Sequence, residues 1–316
     1  MTIRQSKTAL LIPCVSRKAP ACGKPLPIRD LEGEDFSALA TEWFALLNSN
    51  SSLSHPLLNL YQGPAWSAYK NLDQYFDSVF VLSAGFGIVP VSSAVRPYDA
   101  TFTASQPNSI PLISEASQLD ANRAWLDAIT SCLHNPTEPL EVSELLRKYD
   151  FLLIALPSAY LSVLKPQLVD AMTSNRKDFG RLLIAGVGKP PSKLEGVFLS
   201  ITADLARYYG STLGALLPVA LRDAFSKCNT VDDLPVLQQF FDSIPVPEKI
   251  LRKKAQASDE VILELIDGMI ATLDSRELSA TKCLRRLRDN TDYSCEQKRF
   301  GRLFKRAMDA RSADTR

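Results

Sequence analysis

Four short, unbroken apolar runs in this chain each stop on a cluster of small or reactive residues. Ala9 to Ile12 ends on Pro13-Cys14-Val15-Ser16-Arg17-Lys18, and Val79 to Leu82 ends on Ser83-Ala84-Gly85-Phe86-Gly87. Phe151 to Leu156 ends on Pro157-Ser158-Ala159-Tyr160, and Leu182 to Ala185 ends on Gly186-Val187-Gly188-Lys189. Aliphatic runs of this length without polar alternation are strands buried on both faces, the signature of a parallel sheet covered by helices. They predict an α/β fold: a mostly parallel four-stranded sheet with helices on both faces, followed by a helical C-terminal region. Ligands of open sheets of this kind sit outside the carboxyl ends of the strands, so the four clusters are expected to build the site.

Helical patterns alternate with the runs. Phe36, Leu39, Ala40, Trp43, Phe44 and Leu47 recur at helical spacing, and further helices are expected over 64–76 and 119–132. The stretch Ile88 to Leu112, with Pro90, Pro97, Pro107 and Pro111, reads as a long irregular loop, and loops of that length are commonly functional. From Val197 onward the sequence predicts helices only, with Pro245-Val246-Pro247 as a hinge. The domain expectation is an α/β catalytic domain over 1–195, a helical region over 196–275 and a basic helical nucleic-acid-binding segment over 276–316.

The net charge of +1 over 316 residues conceals an asymmetry. From Thr281 to Arg316 there are eleven Lys or Arg against five acids, a net +6 that leaves the rest of the chain at −5. Two short helices are expected there, with Phe300, Leu303, Phe304 and Ala307 as an apolar stripe, and the pair resembles a helix-turn-helix. Arg285, Arg286, Arg288, Lys298, Arg299, Arg302, Lys305 and Arg306 are the candidate nucleic-acid contacts, since a basic module on a mildly acidic body is the footprint of such a binder. A solvated basic face is the plainer alternative.

No run of about 18 apolar residues exists, and the amino terminus leads into the first strand without a signal-peptide pattern. A cytoplasmic protein with no membrane partner is expected. The six cysteines are scattered and read as free thiols, while two distant histidines do not make a metal site. No cofactor and no metal are expected, and the oligomeric state is left open.

Several residues in the clusters suit chemistry. Arg17, Lys18 and Ser16 form a strand-end turn fit for a phosphate or carboxylate, although the pattern of a nucleotide-triphosphate loop is absent. Asp99, in Arg96-Pro97-Tyr98-Asp99, is a carboxylate beside an aromatic ring that can orient water or stabilise an oxocarbenium ion, or can cap local backbone. Tyr61 and Gln62 offer a phenol and an amide for a base edge, or a packing tyrosine. Cys14 suits a small buried strand-end residue better than a nucleophile, and Gly85 and Gly87 suit close backbone approach to a ligand. Pro157, Ser158 and Lys189 complete the candidate set from the third and fourth strand ends.

Together, Pro13-Cys14-x-Ser16-x-Lys18, Leu60-Tyr61-x-Gly63, Leu82-Ser83-Ala84-x-x-Gly87 and Pro97-Tyr98-Asp99 resemble motifs of a bacterial and phage family of uracil-DNA-glycosylase-like α/β proteins. That family is similar to the glycosylase-like domain of archaeal archaeosine synthases and to anti-phage DNA glycosylases that remove glucosylated hydroxymethylcytosine. The resemblance covers roughly residues 8 to 190; Val15 shifts the serine by one place, and Ile88 stands where the family has Leu. It implies a DNA glycosylase acting in antiviral defence, leaving abasic sites in phage DNA by base flipping. Asp99 would be the catalytic carboxylate, Tyr61, Phe86 and Tyr98 would stack the extruded base, and Arg17 and Lys18 would grip flanking phosphates. The other readings are a non-catalytic nucleic-acid-binding or stress-response protein on the same fold, and an enzyme of tRNA base modification.

Overall fold

All four apolar runs fold as strands of one sheet. In chain order, β1 (Thr8–Pro13) is followed by α1 (Phe36–Ser49), which buries Leu39, Ala40, Trp43, Phe44 and Leu47, and by α2 (Pro64–Lys70). Pro64 opens α2 in its first turn, where the missing N–H would have had no helical partner. Next come β2 (Ser78–Ser83), β3 (Gly87–Pro90), α3 (Gln118–Ser131), α4 (Val142–Lys148), β4 (Phe151–Ala155) and α5 (Ser158–Thr173). The Ser117 side chain caps α3 by accepting from the Asp120 N–H. Then β5 (Arg181–Val187), β6 (Phe198–Ile201), α6 (Leu213–Cys228) and α7 (Leu234–Ser243) complete this part of the chain. The computed structural model describes residues 6–49, 52–113, 116–174, 179–246, 255–272 and 278–314.

The sheet runs β6-β5-β4-β1-β2-β3, parallel throughout except for the antiparallel pair β2 and β3. All five residues of β4 are buried, and successive side chains of a strand point to opposite faces, so both faces are covered there. One set of helices, α1, α3, α4 and α5, packs together; α2, α6 and α7 form another set, and Phe225 of α6 meets Phe76, which stacks on Phe151 of β4.

The sheet has six strands where the sequence predicts four. The extra two are its edges. β3 lies at the start of the stretch read as an irregular loop, and β6 falls after Val197, where only helices are expected. Edge strands are covered less completely and carry shorter, more broken apolar signals: β3 is bounded by Gly87 and Pro90, and β6 contains Ser200.

Domain limits also differ from the expectation of breaks near 195 and 275. The chain divides into two compact units, Met1–Pro247 and Glu248–Arg316. α6 and α7 belong to the first unit, because α6 packs on β5 and α7 on β6. The second unit holds α8 (Asp259–Thr272), α9 (Ala280–Asn290) and α10 (Gln297–Asp314), with Ala255–Gln256 paired in parallel to Tyr293–Ser294. Its own core is built from Ile262, Ile266 and Ile270 of α8, Cys283 and Leu287 of α9, and Phe300, Leu303 and Ala307 of α10. The apolar stripe read on the last helix is therefore its packing face. Among the described residues, no helix is long and apolar enough to cross a membrane.

Candidate active site

The strand order reverses between β1 and β4, since the chain leaves β1 to build β2 on one side and returns to build β4 on the other. The carboxyl ends of these strands therefore flank the crevice where open α/β sheets hold ligands. The segment after β1 is tied down by backbone bonds on several sides. Cys14 N–H donates to the Leu82 carbonyl (3.1 Å), Ala19 N–H to Leu60 (2.8 Å), and Gln62 N–H to Arg17 (2.9 Å). Lys18 and Tyr61 form an antiparallel bridge, and Leu26–Pro27 pairs in parallel with Tyr98–Asp99. One loop thus draws together three of the sequence motifs.

Their side chains meet in a buried hydroxyl network. The Tyr61 and Tyr98 hydroxyls are 2.5 Å apart, and Tyr98 Oη lies 2.7 Å from Ser83 Oγ. Ser83 Oγ also accepts from the Gly85 and Phe86 N–H groups, both at 3.1 Å. Alongside, Cys14 Sγ lies 3.1 Å from Tyr160 Oη, which is 3.3 Å from Thr101 Oγ1. Burial first, and then the neighbouring Cys14, push the phenols of Tyr61, Tyr98 and Tyr160 well above their ordinary range. They stay protonated near neutrality and can both donate and accept.

Above this network lies Lys18. Its Nζ sits 4.6 Å from the centroid of the Tyr98 ring and 5.6 Å from that of Tyr61, buried and without a hydrogen-bond partner. Burial lowers its pKa, opposed by the proximity of Cys14 and Asp99. Asp99 is half-buried, and its Oδ1 accepts from Asn108 Nδ2 at 2.6 Å. The arrangement places an anchored carboxylate and a desolvated amine together at the carboxyl end of the sheet.

Cys14, Lys18, Tyr61, Ser83, Gly85, Phe86, Tyr98 and Asp99 are accordingly brought together, while Ser16, Arg17 and Gln62 lie exposed on the adjoining loop. Lys18 is turned inward, away from the surface position that a phosphate grip shared with Arg17 would need. Tyr61, Phe86 and Tyr98, expected to stack a base, are core rings: Phe86 packs edge-on against Tyr98 and tilted against Phe44, and Tyr61 packs edge-on against Trp66. Gly85 lies in the turn between β2 and β3, and Gly87 opens β3. A Cβ at Gly85 would stand 2.7 Å from the Tyr98 ring, so its bareness serves ring packing instead of ligand approach.

Pro157 and Ser158 are exposed where α5 begins, and of that cluster only Tyr160 enters the network. Lys189 is exposed past the end of β5, which β4 separates from β1. Neighbouring strands lie about 4.8 Å apart, so the fourth cluster stands about 10 Å from the end of β1, with β4 between them. Sequence reasoning missed Thr101 and Asn108, and named Tyr160 only as a member of the third strand-end cluster. It also missed the two indoles that hold the β2–β3 turn, Trp43 donating to the Gly85 carbonyl (2.9 Å) and Trp125 to that of Ala84 (2.7 Å).

In the C-terminal unit, Arg285, Arg286, Arg288, Lys298, Arg302, Lys305 and Arg306 are exposed, and Arg299 is half-buried. Two of the expected nucleic-acid contacts also hold this unit together. Arg299 pairs with Asp259 at the start of α8 and donates to the Ala257 carbonyl (2.9 Å); Arg288 donates to the Cys295 carbonyl (2.9 Å). Replacing Arg299 by Gln is expected to lower the melting temperature of this unit, followed by calorimetry on the full chain. Joint replacement of Arg302, Lys305 and Arg306 should leave it unchanged, because exposed cations opposite a packing face contribute little to folding.

Comparison of the chain with protein-family models, with curated proteins and with solved structures finds no match.

Proposed function

We propose that this chain is a DNA glycosylase of the uracil-DNA-glycosylase-like class that excises a modified base from phage DNA and acts in antiviral defence. The carrying observation is Asp99, fixed by Asn108 at the carboxyl end of the parallel sheet beside the buried Lys18. As the bond between C1′ and the base nitrogen breaks, the base leaves with the electron pair and positive charge develops on the sugar. The Asp99 carboxylate stabilises that charge and takes a proton from the water that adds to C1′. The Lys18 ammonium supplies the opposite charge for the departing base. Glucosylated hydroxymethylcytosine is the base that the resemblance of the motifs to the anti-phage glycosylases implies. The exposed cations of α9 and α10 supply affinity that does not depend on sequence.

A second reading, a nucleic-acid-binding protein without catalysis, is favoured by one specific observation: the rings of Tyr61, Phe86 and Tyr98 are packed against other side chains, leaving no open stacking platform. Incubation with unmodified DNA and with hypermodified phage DNA, followed by an aldehyde-reactive probe for abasic sites, separates the two. Abasic sites in the modified DNA alone are expected. Binding of both DNAs without abasic sites in either would overturn the glycosylase and leave the binding protein.

A further inference from the structure

Beside the site lies a polar groove of about 500 Å³, lined by Arg17, Asn59, Gln62, Ser67 and Lys70 with the ring of Tyr61 as a shared wall. No carboxylate lines it, and among the described residues neither Arg17 nor Lys70 belongs to an ion pair. Its shape follows from the local fold. The antiparallel bridge between Lys18 and Tyr61 turns the Lys18 amine inward onto the Tyr98 ring, while its neighbour Arg17 lines the groove with Gln62. Gly63, at a φ of 110° that a side chain would strain, swings the chain into α2. On α2, Ser67 and Lys70 are three residues apart and share one face.

Two cations outside any ion pair, three neutral side chains able to donate and no anionic group make up the polar part of the lining, with Leu58 and Trp66 as its apolar part, and that polar set suits a phosphodiester. Arg offers a planar fork and Lys a point charge for phosphate oxygens, and amides and hydroxyls are usual partners of the sugar–phosphate backbone. The volume exceeds that of one phosphate and admits the sugar joined to it. The geometry points to this groove as the seat of the backbone of a nucleic-acid strand, with Arg17 and Lys70 each neutralising a phosphate. The choice of a strand over a free phosphate compound rests on the nucleic-acid reading above. Lys70 thereby takes the part that the sequence motifs imply for Lys18.

The test is salt-dependent binding of a short, unmodified, fluorescein-labelled single-stranded oligonucleotide to the full chain. The parent is compared with an Arg17→Gln/Lys70→Gln double variant and with a Lys7→Gln/Lys148→Gln control in the cleft at the amino end of the sheet. Losing two phosphate contacts should flatten the slope of log K against log salt by about 1.4, at about 0.7 per contact on a single strand. The control should keep the parent slope, and thermal melts should coincide because both groove cations are exposed. Equal slopes for parent and double variant would overturn the proposal, as would a parent that does not bind the oligonucleotide. A double variant that loses affinity for inorganic pyrophosphate, yet binds the oligonucleotide with the parent slope, would show a free phosphate ligand and also overturn it. Binding needs no chemistry, so a parent that shows the expected slope change but excises no base retains the groove and discards the glycosylase.

Discussion

Asp99→Asn is expected to lower base excision about a hundredfold or more, since removing one preorganised charge from a developing transition state commonly costs that much. Folding should be unaffected. The substituted amide retains an oxygen that can accept from Asn108 Nδ2, so the 2.6 Å contact anchoring the loop survives. Single-turnover excision and a thermal melt on the same preparation are the measurements. Unchanged excision would remove Asp99 from the mechanism, and a lower melting temperature with unchanged excision would make the carboxylate a structural anchor of the loop that carries Asn108.

Lys18→Met is expected to raise stability and sharply lower excision together. The amine is buried without a hydrogen-bond partner, and an effective desolvation penalty of several kcal/mol for such a charge outweighs the roughly 0.5–2 kcal/mol returned by the Tyr98 and Tyr61 rings. Methionine keeps the unbranched stem and removes the charge. A net gain of about 1–2 kcal/mol corresponds to a rise of about 2–8 °C for a unit of this size. Activity should fall about a hundredfold or more, because the departing base loses its counter-charge. A variant that is both less stable and fully active would refute the role.

The pH dependence has a definite sign. Burial lowers the folded-state pKa of Lys18 from 10.5, so below that lowered value the parent carries the whole penalty. As pH rises from there towards 10.5, the folded amine is neutral while the unfolded chain still binds the proton, and the parent gains stability. The stability gap between parent and Lys18→Met should therefore narrow with rising pH. The buried tyrosines act oppositely. Their raised pKa values contribute stability that is present below the ordinary phenol value of 10.0 and lost above it, equally in both proteins, so the difference between the two isolates Lys18.

Much of the sheet was legible because β1, β2, β4 and β5 each carry an unbroken apolar run at their centre, as a strand covered on both faces requires. α1, α2 and α3 were legible from the sequence, as was the packing stripe of α10, whereas α4 lies in a stretch that reads as a linker. Charge segregation likewise marked the basic end of the chain. The same local signals failed at the edges: β3 and β6 are four residues each and are broken by Gly, Pro or Ser.

Local residue patterns set the sheet-forming runs, several helical faces, and the position of the short motifs just past strand ends. Those properties depend on local periodicity and composition. Tertiary structure alone decided which of those motifs meet. Strand order places the end of β1 between those of β2 and β4 and moves Lys189 aside, something no spacing along the chain expresses. Direction of side chains was also a tertiary matter. Two adjacent cations, Arg17 and Lys18, diverge into a groove and a buried ring face, and Arg299 turns from the basic surface to Asp259 because its partner lies forty residues away. Tyr160, Trp43 and Trp125 entered the site through contacts across the fold, where the desolvation of each polar group is offset by a partner distant in sequence.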